Sequence, residues 1–350
     1  MSLQKLVLKH LHSPDQLRNV LTTFRDGELQ TSIDLKDDHG DALVHFAARS
    51  QSLPAIQLLH EFGADMEAVN EHGRTPIHES IDSYEITAYL IKQCHVDVNA
   101  IKRGDWTPVM IAALKGRTDI VQLLVESGAL LEVVSKDGRT ALHMAAQEGH
   151  VDTCRYLANR CPIAMIKATN SGRLPTQMAA ALAEQPQAAL DIVTLLLSSS
   201  PIPEHDLLFH RDNSGHNILQ DAVVARNLTL LRLLFERGAN PNDTDSIGRN
   251  MIHYAAMIGH LDVLQLLLSL SSEGSKNPPD WGTPDWDTPD TWDHWSPLMH
   301  AAKEGHLDVV RFLVETIHAD NHRTDKKGRT AKDLAALWNH QEVIDYLDSL

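Results

Sequence analysis

One short motif returns along this chain at an almost constant spacing, and that periodicity restricts the fold more than any other feature. Aligning the glycine of a Gly-Arg-Thr-Pro-Leu-His-like pattern brings up Gly40, Gly73, Gly104, Gly138, Gly172, Gly215 and Gly248, then His294 in the glycine's place, then Gly328. The steps between them are 33, 31, 34, 34, 43, 33, 46 and 34 residues. Most lie within two residues of a repeat of about 33, and the other two carry insertions of about 10 and 13 residues against it. Such units cannot bury their apolar faces alone, so they must stack into one continuous core.

Each position of the unit has a physical task. The glycine admits positive φ at a hairpin tip. Thr75 and Thr107 stand where an N-cap hydroxyl accepts from the first helical N–H groups, and Pro76 and Pro108 follow at N1, where no N–H is needed. Alanine pairs (Ala47-Ala48, Ala112-Ala113, Ala145-Ala146, Ala255-Ala256, Ala301-Ala302) keep a first helix thin. Bulky runs such as Leu58-Leu59, Leu123-Leu124, Leu195–Leu197 and Leu266–Leu268 build a second helix. Gly63, Gly128 and Gly238 then fall at left-handed caps. The sequence therefore predicts an all-α solenoid of helix-turn-helix units with short β-hairpin tips, about nine repeats plus an N-terminal cap, as a single elongated domain over 1–350.

Its subdivisions are a cap over 1–35, with helical patterns around Leu3–Leu11 and Gln16–Phe24, repeats over 36–325, and a polar-faced cap over 326–350. Two interruptions stand out. The fifth unit is degenerate, with Leu174 replacing the N-cap threonine and an insertion over 183–210, and is expected to be the loosest joint. The loop 270–295 is acidic and rich in proline, with Trp281, Trp286, Trp292 and Trp295 among its residues. Trp295 takes the arginine position of its turn; Trp281, Trp286 and Trp292 are candidate anchors for a partner.

Composition narrows the class. Asp and Glu number 47 against 31 Lys plus Arg, a formal charge of −16, which repels phosphate backbones and argues against direct nucleic-acid binding. No apolar stretch of about 18 residues offers a membrane span, and the N-terminal run is too short for a signal peptide. Three cysteines, Cys94, Cys154 and Cys161, fit a reducing compartment, so the expected location is the cytoplasm or nucleus. Cys154 reads as a buried hydrophobe.

The motifs GRTPIHES (73–80), GDWTPVMIAA (104–113), DGRTALHMAAQEGHVD (137–152), GRNMIHYAAMIGHLDVLQLLL (248–268) and SPLMHAAKEGHLDVVRFLV (296–314) resemble ankyrin repeats over nearly the whole chain. The resemblance implies a non-enzymatic protein-interaction module. It also accounts for His45, His78, His143 and His253 on the helices and His150, His260 and His306 in the turns as groups that bond the backbone. Asn99 and Asn242 occupy the hairpin position that asparaginyl hydroxylases modify in many such proteins. A narrower resemblance, to the family of ankyrin repeat domain-containing protein 16, is carried by AIKRGDWTPVMIA (100–112), LVESGALLEVVSKDG (124–138) and YLANRCPIAMIKATNSGRLP (156–175). It implies a cofactor that docks on the catalytic domain of alanyl-tRNA synthetase and captures misactivated serine on lysines. Lys136 matches an acceptor; Lys102 matches the residue before another, where Arg103 replaces the acceptor; Lys167 stands one residue late, with Ile166 at the matching position.

From the residues themselves, the third to fifth tips gather positive charge in Lys102, Arg103, Lys136, Arg139, Lys167 and Arg173. With Trp106 they form the candidate partner surface. No phosphate loop, nucleophile elbow or dinucleotide turn is present, and the 21 histidines lack metal-ligand spacing, so an enzyme, a metal and a cofactor are not expected. The chain is read as a monomer. The competing reading is a generic adaptor that grips an unrelated, basic partner through the concave face and the acidic tryptophan loop.

Overall fold

In the computed structural model, residues 3–23, 33–271 and 283–350 are described. Trp281 and the first half of the 270–295 loop lie outside them. The chain divides into two compact units, 1–170 and 171–350.

In the first unit the helices come in antiparallel pairs. Leu3–His10 and Pro14–Thr22 form the N-terminal pair; then Leu43–Arg49 with Leu53–Glu61, Pro76–Glu79 with Tyr84–Lys92, Pro108–Leu114 with Thr118–Glu126, and Ala141–Gln147 with Val151–Arg160. The first helices pack closely because alanines such as Ala112, Ala113, Ala145 and Ala146 are small and fully buried. The second helices contribute the branched side chains, among them Ile56, Leu59, Ile120, Val121 and Leu124, also fully buried. Burying each such side chain is worth roughly 1.5–3 kcal/mol, which is what holds the stack together.

The helix starts show why the motif contains both Thr and His. His78 and His143 each accept the N–H of their own N-cap threonine at Nδ1 (3.2 Å). The Nε2 of His78 meets the carbonyl of Trp106 in the next tip (3.4 Å), as that of His45 meets Arg74 (3.0 Å). At Thr107 the third helical residue is Met110, the reciprocal partner is missing, and the Thr107 hydroxyl is buried without a hydrogen bond. The sequence expectation of a capping bond there is not met.

Between repeats the chain makes tight turns rather than strands; among the described residues the tips yield one isolated bridge, Lys102 with Trp106. Each tip gives a backbone N–H to the previous one: Glu71 to His39, Arg103 to His72, Lys136 to Gly104 and Asn170 to Asp137, at 2.9–3.2 Å. Gly138 shows what this closeness requires, since its φ is +79° and a Cβ would lie 2.7 Å from the Asn170 nitrogen.

The second unit repeats the plan with Pro175–Ala180 and Pro186–Ser199, Ile218–Val224 and Leu228–Glu236, Met251–Ile258 and Leu261–Ser271, Pro297–Glu304 and Leu307–Arg311, and Ala331–Leu337 and Gln341–Asp348. Its 183–210 insertion lengthens one helix and adds another, Glu204–Leu208, which buries Leu207 and Leu208. A packed helix therefore stands where the sequence suggested a loose connection. The last pair is also less polar than expected: Leu337 and Trp338 are exposed by 59% and 53%.

Candidate partner-binding tips

The third tip holds the most unusual lysine. Lys102 N bonds Trp106 O and Asp105 N bonds Lys102 O, both at 3.0 Å, so the residue equivalent to Gly73 and Gly138 is Asp105 (φ +61°) rather than Gly104. This corrects the alignment by one position. Lys102 consequently stands with Asn70 and Ser135 at the start of the turn, while Arg103 is the counterpart of Lys136. Trp106 takes the place of Arg74 and Arg139, and its ring lies 4.6 Å from the Lys102 ammonium. Burial, with Arg74 nearby and Glu79 opposing, lowers the Lys102 pKa from the ordinary lysine value. A larger share of this amine is neutral, and so nucleophilic, than for a solvated lysine.

The other sequence candidates separate around it. Arg103 and Lys136 are exposed at equivalent tip positions. Arg103 also touches the Glu71 carbonyl (3.3 Å). Arg139 is half-buried and bonds Gln147 (2.9 Å). Lys167 is not in the tip row: it lies two residues before the fifth turn, and its ammonium donates to the Glu132 carbonyl (3.1 Å). The three candidate acceptors thus occupy three different positions of the repeat. Arg173, in the second unit, is turned inward to Asp221 (2.5 Å), whose carboxyl is pushed up to about 7 by burial, against the pull of Arg173.

Beside the first two tips lies a polar cavity of about 390 Å³ lined by His39, Asp41, Arg49, Asn70, His72, Arg74 and Glu79. Arg49 pairs with Asp41 (2.7 Å) and Arg74 with Glu79 (3.0 Å). Burial opposes ionisation of Asp41, but the bonds from Arg49 and Asn70 outweigh it and its pKa is lowered. The sequence reading missed this group; its signal is the pairing of Asp41, just before the N-cap of Leu43–Arg49, with Arg49 at that helix's end.

In the second unit the described part of the tryptophan loop is turned onto the chain. Trp286 is half-buried with its ring edge-on to Phe312 at 6.1 Å, and Asp287 pairs with Arg323 (3.0 Å). Trp295 donates from its indole to Asp325 (3.1 Å). Trp292, exposed by 69%, is the described candidate anchor that reaches solvent. Among the described residues no cluster of three or more His, Cys, Asp or Glu side chains could hold a metal ion, and no helix is long and apolar enough to cross a membrane.

Comparison with known families agrees with this architecture. The model for ankyrin repeats in three copies matches residues 13–102, 44–134, 83–170, 109–207 and 252–349, and that for many copies matches 219–268. The chain belongs to the ankyrin-repeat family. Such repeats are protein-interaction modules. Among curated ankyrin-repeat relatives it is 27% identical to ankyrin repeat protein nuc-2 of Neurospora crassa, over 62% of this chain and 20% of nuc-2. It is 26% identical to the probable 26S proteasome regulatory subunit p28 of Saccharomyces cerevisiae, over 62% of this chain and 87% of p28. The B-cell lymphoma 3 protein homolog of Mus musculus is likewise 26% identical, over 72% of this chain and 54% of its own length. The match thus takes in a fifth of nuc-2 and about half of the lymphoma protein.

Proposed function

We propose that the first unit presents its tips to a protein partner, that this partner is the catalytic domain of alanyl-tRNA synthetase, and that the lysines there take up misactivated serine. The observation that carries the reading is Lys102, half-buried against Trp106 with its pKa lowered. Lys136, exposed on the next tip, is the second acceptor. Arg103 and Lys136 supply the cationic contact on an otherwise acidic chain. The neutral Lys102 Nζ attacks the carbonyl carbon of a seryl adenylate. An amide C–N bond forms, the C–O bond to phosphate breaks, AMP leaves with the bonding pair, and the amine proton passes to solvent. The resemblance of 100–112, 124–138 and 156–175 supports the same partner, and the three free cysteines fit the reducing cytoplasm or nucleus.

The test mixes the purified chain with the synthetase catalytic domain, ATP and serine, then follows co-elution and lysine masses. A seryl adduct on Lys102 or Lys136, lost in Lys102→Arg/Lys136→Arg while co-elution persists, is the expected result. Co-elution without any adduct removes the acceptor role, and failure to co-elute removes the partner. The exposure of Trp292 supports a second reading, an adaptor that holds a basic partner through the loop. Under that reading Trp292→Ala abolishes retention and the lysine variants leave it intact.

A further inference from the structure

The fourth repeat leaves its second helix differently from its neighbours in the first unit. After Leu53–Glu61 and Thr118–Glu126 a glycine with positive φ, Gly63 (+80°) or Gly128 (+97°), reverses the chain, and the next residue bonds back five positions, Ala64 to Leu59 and Ala129 to Leu124 (both 2.9 Å). After Tyr84–Lys92 the non-glycine His95 (+56°) reverses the chain likewise, whereas no residue of positive φ follows Val151–Arg160. Cys161 follows in an extended conformation (φ −141°, ψ 76°), bonds back only to Leu157, and runs into a 3-10 turn, Pro162–Met165. A second regularity stops at the same place. Each outer turn gives an N–H to a side chain of the turn before it: Asp65 to Asp34 (2.9 Å), Asp97 to Glu67 (2.7 Å), Leu130 to Asn99 (2.8 Å). Glu132 is the counterpart of Asn99, but Ala164, at the donor's position, gives its N–H to the Cys161 carbonyl instead (3.0 Å).

Where these two regularities fail there is a cavity of about 700 Å³, lined by Val125, Ala129, Leu130, Leu131, Val133 and Cys161, with Glu132 and Arg160. Leu130 is exposed by 59%, and Ile163, two residues past Cys161, by 48%. The Arg160 guanidinium lies 5.9 Å from the Tyr156 ring and has no ion-pair partner among the described residues. The Lys167 ammonium is held at the Glu132 carbonyl. Arg160 in the lining and Lys167, held at a lining carbonyl, thus stand against one lining carboxylate, Glu132, on a chain of net charge −16.

We propose that this recess docks a short segment of a partner protein in which an apolar side chain is flanked by carboxylates. The cavity has the size and mixed lining of a specific site. Leu130 offers it an exposed apolar rim and Arg160 a solvent-exposed charge partner. Its exposed apolar margin suits a chain lying across it rather than an enclosed small molecule. The site lies apart from Lys102 and stands whether or not acyl transfer takes place.

The test is fluorescence anisotropy of the full chain with fluorescein-labelled Asp-Leu-Phe-Asp amide, with Lys-Leu-Phe-Lys amide as charge control and unlabelled octanoate as competitor. Saturable binding of the acidic peptide is expected, weakened about tenfold or more by Leu130→Asp and by Arg160→Glu, with the basic peptide unbound. Leu130 and Arg160 are both exposed, so unchanged circular dichroism in the variants is expected and separates lost binding from lost folding. Equal binding of the two peptides, full binding by both variants, or octanoate binding without peptide binding would overturn the proposal. Serine uptake at Lys102 and Lys136 unchanged in Leu130→Asp is expected and keeps the two proposals separately testable.

Discussion

Trp106 and Trp295 occupy the same position in their tips, where Arg74, Arg139, Arg249 and Arg329 stand in others, yet they are used in opposite ways. At the third tip the turn runs five residues, from Lys102 to Trp106, and the indole supports a lysine. At the eighth it runs six, from Asp290 to Trp295, and the indole is fastened to Asp325 and packed edge-on to His300. Asp290 there accepts from His300 (3.2 Å) and from the Asp293 and Trp295 backbones, at 4% exposure. The lesson is that residue type at a tip does not set its role. The buried acid beneath it does: the eighth tip has one in Asp290, and the third has Lys102 instead.

The inner-helix histidines facing these two tips give the largest expected effect. His78 bonds the Trp106 carbonyl, whereas the Nε2 of His253, before the longer tip, has no partner. Burial lowers both pKa values to about 4. The unfolded chain binds protons that the fold refuses between about pH 6.5 and 4. The stabilisation by each neutral ring is therefore complete above pH 6.5 and lost as pH falls through 4, by about 3 kcal/mol each. Urea unfolding at pH 7 and pH 4.5, followed by tryptophan fluorescence, should show the fall, and His78→Asn/His253→Asn should flatten it. An unchanged slope in that variant would break the link between these rings and their tips.

A middle-sized effect separates the two acids. Burial disfavours the Asp290 carboxylate, but His300 and the backbone donors outweigh it and hold its pKa at about 2. Its contribution is present above the ordinary carboxylate range and lost as pH falls through 2. Asp290→Asn should cost about 2 kcal/mol at pH 7. Asp105→Asn, at an exposed left-handed position where asparagine is also tolerated, should stay within about 0.5 kcal/mol. Equal costs would erase the distinction between the tips. The smallest effect on stability sharpens it: Trp106→Ala should cost below about 1 kcal/mol. It relieves the burial of Lys102, so the amine pKa should rise toward the ordinary value in an NMR titration, and amine acylation at pH 8 should slow.

Much of this was legible because the repeat is written in positions that pack. The buried alanine pairs, the leucine ridges and the left-handed Gly63, Gly128 and Gly238 stand where periodicity puts them. What escaped was set by neighbours in space. Gly104 and Asp105 are adjacent with positive φ, and only the bond from Asp105 to Lys102 tells which one matches the other tip glycines. Thr107 looks like Thr140 in sequence, but without a histidine three residues on its hydroxyl is stranded. The helix Glu204–Leu208 has too few residues for periodicity to show. The recess at Cys161 arises where the helix exit lacks a positive-φ residue and the Ala164 N–H turns back to Cys161, which a motif search does not register. Of the lysines, proximity in sequence suggested a row, whereas the turn geometry gives each a different address.

Beside side-chain bonds such as that of Arg103 to Glu71, a bond between main-chain atoms joins each tip of the first unit to the one before it. That share of the spacing is indifferent to which side chains the tips carry, apart from the tight glycine. Selection can rewrite the outward letters of one tip at a time, or splice residues beside it as at 290–295, while the scaffold keeps its pitch. A new specificity in such a protein is reached by single substitutions, with no need to rebuild the fold between one partner and the next.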